Sequence, residues 1–134
     1  MIGSINHIAI AVHDLDVASA QWRERVGAVV SAPLRLPKHG VKVVFIAAYN
    51  GKVELLEPLD DKSPIAKFLE RNPDGGLHHI CFDVPDLVAS RDQILATGAR
   101  ILGSPDPEIG AHGKPVLFIH PKDLTGSPIE LQQA

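Results

Sequence analysis

Apolar residues alternate with small or polar residues near the start of the chain, and this pattern predicts a β-strand over His7–Val12. Ile8, Ile10 and Val12 share one face of this strand. His7 lies on the other face together with two alanines. The bulky apolar face is expected to pack under a helix, which leaves room for a ligand on the histidine face.

This segment begins an internal repeat. Asn6–Leu15 resembles His78–Leu87, and equivalent residues are separated by 72 positions (79 − 7). In each copy the strand leads into a predicted helix that begins at an aspartate N-cap and ends at a glycine. These caps are Asp14 and Gly27 in the first copy, and Asp86 and Gly98 in the second.

Three further β segments are predicted after each helix. They are Val29–Pro33, Val41–Ala48 and Lys52–Glu57 in the first copy, and Ala99–Leu102, Pro115–His120 and Pro128–Gln132 in the second. A short helix, Pro64–Glu70, is predicted between the copies. We therefore expect an α+β fold, a single domain over residues 1–134. Two βαβββ modules, 1–59 and 77–134, are joined by 60–76 and form a concave, partly closed mixed sheet with the helices outside.

A histidine and a glutamate recur at equivalent positions of the two modules. His7 and His79 lie near the starts of the first strands, and Glu54 and Glu130 lie in the last strands between aliphatic residues. One such residue alone is most often an ordinary core or surface residue. The recurrence of both types on the predicted concave face favours a site for one divalent metal ion. Two imidazoles and two carboxylates suit Co, Mn, Ni, Zn or Fe(II).

Two loops are candidates for contacting an anionic ligand. The first, residues 109–115, is rich in glycine, and its candidate contacts are His112, Gly113 and Lys114. The second contains Lys38 in the first module. An ordinary flexible loop is the alternative interpretation of each. Cys81, on the same strand face as His79, is expected to be a small core or cavity-wall residue.

Composition excludes several classes of protein. Hydrophobic residues make up 45% of the chain, but no apolar run approaches the ~20 residues that span a bilayer, so no membrane association is expected. The net charge of −3 argues against a nucleic-acid-binding surface. One cysteine excludes an internal disulfide and fits a reducing compartment. With no signal peptide evident at the N-terminus, we expect a cytoplasmic protein.

The duplicated module with its histidines and glutamates resembles the vicinal oxygen chelate superfamily, and within it the methylmalonyl-CoA epimerases. The resemblance is carried by Asn6–Val12, Lys52–Pro58, Asp61–Leu69, Gly76–Ile80 and Ile109–Asp123. It implies a metal held by His7, Glu54, His79 and Glu130. It also implies an acyl-CoA thioester substrate, epimerisation of (R)- and (S)-methylmalonyl-CoA through an enolate, and a homodimer.

The expected catalytic residues are Glu130 and Glu54, which come from equivalent strands and should approach the substrate carbon from opposite sides. A second glutamate, proposed as a base in some family members, falls near Val43, which cannot transfer a proton. His112 or Lys114 is the alternative second base. Two other functions remain open: a glyoxalase I-type isomerase (lactoylglutathione lyase), and a non-catalytic metal or small-molecule binding module.

Overall fold

Three α-helices, eight β-strands and two short 3-10 helices make up the protein in a computed structural model that describes all residues, Met1–Ala134. The helices are α1 (Leu15–Val26), α2 (Pro64–Arg71) and α3 (Leu87–Ala96). The strands are β1 (Ile5–Ala11), β2 (Leu34–Leu36), β3 (Val41–Ala48), β4 (Gly51–Pro58), β5 (Gly76–Val84), β6 (Glu108–Ile109), β7 (Pro115–Ile119) and β8 (Ile129–Gln133). None of the helices meets the length and apolarity needed to cross a membrane.

The chain divides into two units. The first unit comprises residues 7–78, and the second comprises residues 1–6 together with 79–134. Residues 1–6 belong with the second unit because their backbone pairs with β5: Gly3 N–H donates to the Asp83 carbonyl at 2.8 Å, and Asp83 N–H donates to the Ser4 carbonyl at 2.9 Å.

In the first unit the strand order is β2-β3-β4-β1, with β1 parallel to β4 and the other neighbours antiparallel. Helix α1 covers one face of these strands, where its buried Leu15 packs with Val44 and Leu55. The helix begins at Asp14, whose side chain accepts from the Val17 N–H at 3.0 Å, and ends at Gly27 in the left-handed conformation. Both caps agree with the sequence pattern.

Helix α2 covers the opposite face of the same strands. Ser63 caps it by accepting from the Ile65 N–H at 3.3 Å, and Pro64 occupies its first turn. The apolar side of α2 buries against a cluster formed by Ala9, Ala11, Val41, Val43 and Leu56. Since Glu54 and Leu56 are two residues apart on β4, α2 lies on the face that carries Glu54.

In the second unit the order is β5-β8-β7-β6, with β5 parallel to β8 and β7 antiparallel to both of its neighbours. Helix α3 packs on one face, where Leu87 and Ile94 meet Leu117 and Leu131 in the core of this unit. Asp86 caps α3 by accepting from the Ala89 N–H at 2.9 Å. The two units therefore repeat the same local plan, apart from α2.

Two predicted strands are wrong. Residues 29–33 form a single bridge, Val30 to Ile46, and the strand begins only at Leu34. Pairing stops because the Ser31 hydroxyl accepts from the Phe45 N–H at 2.9 Å, where a strand carbonyl would otherwise bond. Residues 99–102 likewise keep one bridge, from Ile101 to Ile119, and the strand resumes at residues 108–109.

Candidate metal and substrate site

The first unit brings His7 and Glu54 into contact. Strands β1 and β4 run parallel with Ala9 opposite Glu54, which sets the two side chains on one face. The His7 Nε2 atom lies 3.4 Å from Glu54 Oε2, and the two residues are only 2% and 3% exposed. A buried carboxylate requires a hydrogen-bonding or cationic partner, and here an imidazole nitrogen stands next to it.

The second unit repeats this arrangement with His79 and Glu130. Cys81 lies opposite Glu130 on β5, as Ala9 lies opposite Glu54, and His79 Nε2 is 3.1 Å from Glu130 Oε2. Both residues are buried. The ring of His79 also meets Phe118 edge to face, with centroids 5.1 Å apart, which limits its rotation.

The donor chemistry of these pairs fits a divalent ion. Each pair offers one imidazole nitrogen and one carboxylate oxygen that are already close together and shielded from water. Nitrogen and oxygen donors of this kind suit borderline divalent metals such as zinc, cobalt or nickel. The protein thus contains histidine–glutamate groups able to hold a metal ion, although the ligand set alone does not select one metal.

Cys81 is a further candidate donor that the sequence pattern assigned only to the core or a cavity wall. It is fully buried, and its Sγ atom lies within 4.8 Å of a Glu130 carboxylate oxygen. The signal for this placement was present in the sequence, because Cys81 follows His79 by two residues on a strand. A thiolate there would favour softer metals such as zinc.

The loop residues expected to contact substrate lie in less buried positions. His112 is partly buried, whereas Gly113 and Lys114 are exposed. Their loop is closed by backbone hydrogen bonds from Gly110 N–H to the Lys114 carbonyl (2.9 Å) and from Gly113 N–H to the Gly110 carbonyl (3.0 Å). Lys38 is exposed in the 3-10 helix Pro37–His39. A substrate-binding role for these four residues stays a prediction.

Val43 is fully buried in the apolar cluster beneath α2, consistent with its inability to act as a base.

A polar cluster of Asn6, Asp83 and Gln132 lies in the second unit, and the sequence pattern did not single it out. Strand alternation could have found it, since Asp83 continues the face of His79 and Gln132 continues the face of Glu130.

Comparison with known proteins agrees with this fold. Residues 6–118 match the family model of the Glyoxalase/Bleomycin resistance protein/Dioxygenase superfamily. Solved structures of methylmalonyl-CoA epimerases superpose on nearly the whole chain. The enzyme from Mycobacterium tuberculosis is 30% identical with a TM-score of 0.90, covering 98% of this chain and 88% of that one. A methylmalonyl-CoA epimerase in complex with methylmalonyl-CoA and NH4+ is 31% identical with a TM-score of 0.91, covering 100% and 96%.

Sequence similarity narrows the class further. The chain is 59% identical over 133 residues to the ethylmalonyl-CoA/methylmalonyl-CoA epimerase of Cereibacter sphaeroides, covering 99% of both proteins. The chain belongs to the methylmalonyl-CoA epimerase family of this superfamily. The resemblance and the vicinal oxygen chelate fold expected from the sequence are therefore confirmed.

Proposed function

We propose that this protein interconverts (R)- and (S)-methylmalonyl-CoA by moving a proton off and onto C2 of the malonyl group. The observation that carries the proposal is the 59% identity, over 99% of both chains, to an enzyme named for this activity. The two buried histidine–glutamate pairs supply the acid–base groups that such a reaction requires.

In this proposal His7, Glu54, His79 and Glu130 together hold one divalent ion. The support is the equivalence of the two pairs in the repeat and their matching contacts within each unit. When bound, the ion would supply Lewis-acid polarisation of the thioester carbonyl, which acidifies the neighbouring C–H bond.

The proton transfers are assigned to the two carboxylates. One carboxylate takes the C2 proton as the C–H bond breaks, and the electron pair delocalises into the thioester carbonyl to give an enolate. A carboxylic acid on the other side returns a proton to the opposite face, which inverts C2. Glu130 serves one face and Glu54 the other. Their burial keeps bulk water from competing for the enolate.

Substrate binding is assigned to the exposed and partly buried loop residues. His112, Gly113 and Lys114 would contact an anionic part of the acyl-CoA, and Lys38 would contribute a second positive charge. Lysine side chains attract phosphate and carboxylate groups without fixing their geometry. The proposal also includes a homodimer, which the family resemblance implies, and a cytoplasmic location, which is expected from the sequence.

Solvent deuterium exchange tests the two-base assignment. Each epimer of methylmalonyl-CoA is incubated in D2O with wild type, Glu54→Gln or Glu130→Gln, and label at C2 is followed by mass spectrometry. Each variant should lose exchange from one epimer by at least about 100-fold and keep exchange from the other. Glu70→Gln, an exposed residue of α2, is the matched control and should exchange both. Unimpaired exchange of both epimers by Glu54→Gln would remove Glu54 as a base.

Metal analysis accompanies this experiment because glutamine keeps an oxygen donor. We expect Glu54→Gln to retain metal, so that its defect reports proton transfer rather than loss of the ion. Chelation of the wild type should abolish epimerisation, and adding back single metals should identify which ones restore it. Activity that persists after complete chelation would contradict the metal assignment.

Ethylmalonyl-CoA is a second candidate substrate, favoured by the relative that is named for both thioesters. Parallel assays with ethylmalonyl-CoA and with the methylglyoxal–glutathione hemithioacetal discriminate between the rival functions. Turnover of the hemithioacetal alone would support a glyoxalase I-type isomerase. Metal binding without proton exchange on any of these thioesters would support a non-catalytic module.

A further inference from the structure

An aromatic ring adjoins the His79–Glu130 pair on the face of the sheet that carries the pair. Phe118 of β7 lies opposite Glu130 in the antiparallel β7–β8 register, which sets the two side chains on one face with Cβ atoms about 4.5–5.5 Å apart. The Phe118 ring also meets the His79 ring edge to face, with centroids 5.1 Å apart. Phe118 therefore contacts one member of the candidate catalytic pair and neighbours the other.

Phe118 is more accessible than the two residues that it adjoins. Its side chain is partly exposed, whereas His79 and Glu130 are only 7% and 6% exposed. The ring is thus the part of this group that is most open to an approaching molecule. The surface that it presents is apolar.

The loop that is predicted to bind substrate covers the same face of β7. A Cβ built on Gly110 would lie 2.8 Å from Val116 Cγ1, and Val116 is only 4% exposed. Val116 and Phe118 are two residues apart on β7, about 6.6 Å along the strand, and share a face. Phe118 is therefore a neighbour both of the segment beneath the loop of residues 109–115 and of Glu130.

Helix α3 leaves this face of β7 uncovered. It packs on the other face, against Leu117 and Ile119, which alternate with Phe118 along the strand. The first unit differs, because Phe45, which lies opposite Glu54, packs against the apolar cluster beneath α2. A phenylalanine thus faces the glutamate in both units, but only the first unit has a helix on that face.

The chemistry at C2 identifies the group that fits against an apolar ring. In an alkylmalonyl thioester C2 carries a carboxylate, a thioester carbonyl, an alkyl group and the proton that moves. Only the alkyl group is apolar, and the negative face of an aromatic ring disfavours a carboxylate. The three heavy substituents become coplanar with C2 in the enolate. The alkyl group therefore keeps nearly the same place when the proton returns to the opposite face.

We infer that Phe118 is a specificity-determining residue, whose ring packs against the alkyl group on C2 of the substrate and limits its size. This inference rests on the proposed function, in which Glu130 transfers a proton at C2. One methylene group more or less in an apolar pocket changes kcat/KM by about 10- to 200-fold. A ring beside the reacting carbon is therefore sufficient to discriminate among methyl-, ethyl- and propylmalonyl-CoA.

The test measures kcat/KM of wild type, Phe118→Leu and Phe118→Trp with methylmalonyl-CoA, ethylmalonyl-CoA and propylmalonyl-CoA. Phe82→Leu is the matched control, because Phe82 is also a partly buried phenylalanine of the second unit but packs with the cluster on the α3 side. Circular dichroism and metal content confirm that each variant is folded and loaded.

Phe118→Leu should raise the ratio of kcat/KM for propylmalonyl-CoA to that for methylmalonyl-CoA by at least about tenfold. Phe118→Trp should lower the ratio for ethylmalonyl-CoA to methylmalonyl-CoA by at least about tenfold. Phe82→Leu should leave both ratios within about twofold of wild type. A purely structural role for Phe118 predicts the same loss on all three substrates, so unchanged ratios in the Phe118 variants would overturn the inference.

The wild type provides a second measurement if neither Phe118 variant folds. A fall in kcat/KM of at least about tenfold from methylmalonyl-CoA to propylmalonyl-CoA is then the expected result, and equal values for all three substrates would overturn the inference. Absence of proton exchange at C2 of every alkylmalonyl-CoA would instead refute the proposed function. The two failures are distinguishable, because the wild type is active in the first and inactive in the second.

Discussion

Gly75 marks a close approach between the linker and β1, and its replacement by alanine has a predictable cost. The glycine has a φ of +78°, and a Cβ built on it would lie 2.6 Å from the Ala11 carbonyl oxygen. That oxygen cannot retreat easily, because Ala11 is fully buried and Val12 N–H bonds to the Leu56 carbonyl at 2.9 Å. Gly27 is a natural control, since it has a similar φ of +67° but nothing within 4 Å.

The comparison separates backbone strain from steric conflict. An alanine in the left-handed conformation destabilises the fold by about 1–2 kcal/mol. The substitution also lowers the conformational entropy of the unfolded chain, which offsets about 0.4–1 kcal/mol of this cost. Gly27→Ala should therefore destabilise the protein by roughly 0.5–1 kcal/mol. Gly75→Ala adds a conflict with rigid backbone, which we set at about 2 kcal/mol by analogy with overpacking. The melting temperatures should differ by about 8 °C.

Urea denaturation followed by circular dichroism measures this difference, provided that the m-values of the two variants agree. Because Ala11 continues the strand that carries His7, Gly75→Ala should also reduce turnover, whereas Gly27→Ala should not. Equal stabilities for the two alanine variants would refute the reasoning, since they would show that β1 yields to the added methyl group without cost.

Three further predictions follow from the caps, the surface charges and the metal. Asp14→Ala and Asp86→Ala should each destabilise by about 1 kcal/mol in urea melts, since each removes one N-cap hydrogen bond, and a loss below 0.2 kcal/mol would contradict the capping geometry. Hydrogen bonds from Arg100 lower the pKa of Asp123 from 3.8 to about 2. This pair therefore stabilises the fold above pH ~4 and loses its effect as pH falls through about 2, so the melting temperatures of wild type and Asp123→Asn should converge over that range. A metal at a hundredfold excess over its Kd should stabilise the chelated protein by about 2.7 kcal/mol, and an equal gain in His7→Ala would place the ion elsewhere.

Strand alternation was sufficient to predict much of the local structure. It identified β3 with its observed bounds and β4 within one residue at each end. Both faces are buried in the middle of each strand, since α1 packs on one face and α2 on the other. Strand alternation failed at residues 29–33, where Val29 is 82% exposed despite its apolar character. The hydroxyl of Ser31 competes for the ladder there, and such a side-chain contact is not encoded in a hydrophobic pattern.

The histidine–glutamate pairs were predictable for a different reason. Their members are about 50 residues apart in sequence (54 − 7 and 130 − 79), but a parallel pairing of the first and last strands of each module brings them to one face. Both copies of the repeat bring a histidine and a glutamate together through the same strand pairing, so a chance occurrence of the pattern is improbable. The Cα register, with Ala9 opposite Glu54 and Cys81 opposite Glu130, follows the same rule in both units.

The differences between the repeats carry information that the repeat itself cannot supply. Ala11 and Leu56 are apolar because α2 covers them, whereas Asp83 and Gln132 at the equivalent positions are polar and hold an unsatisfied oxygen. In the sequence these substitutions resemble ordinary drift between two copies. Their significance becomes clear only from the structure, because a buried glutamine is costly when one of its polar atoms has no hydrogen-bond partner. The two copies of the fold therefore differ in chemistry at this position, and the polar pair Asp83 and Gln132 lies beside Glu130 in the second copy only.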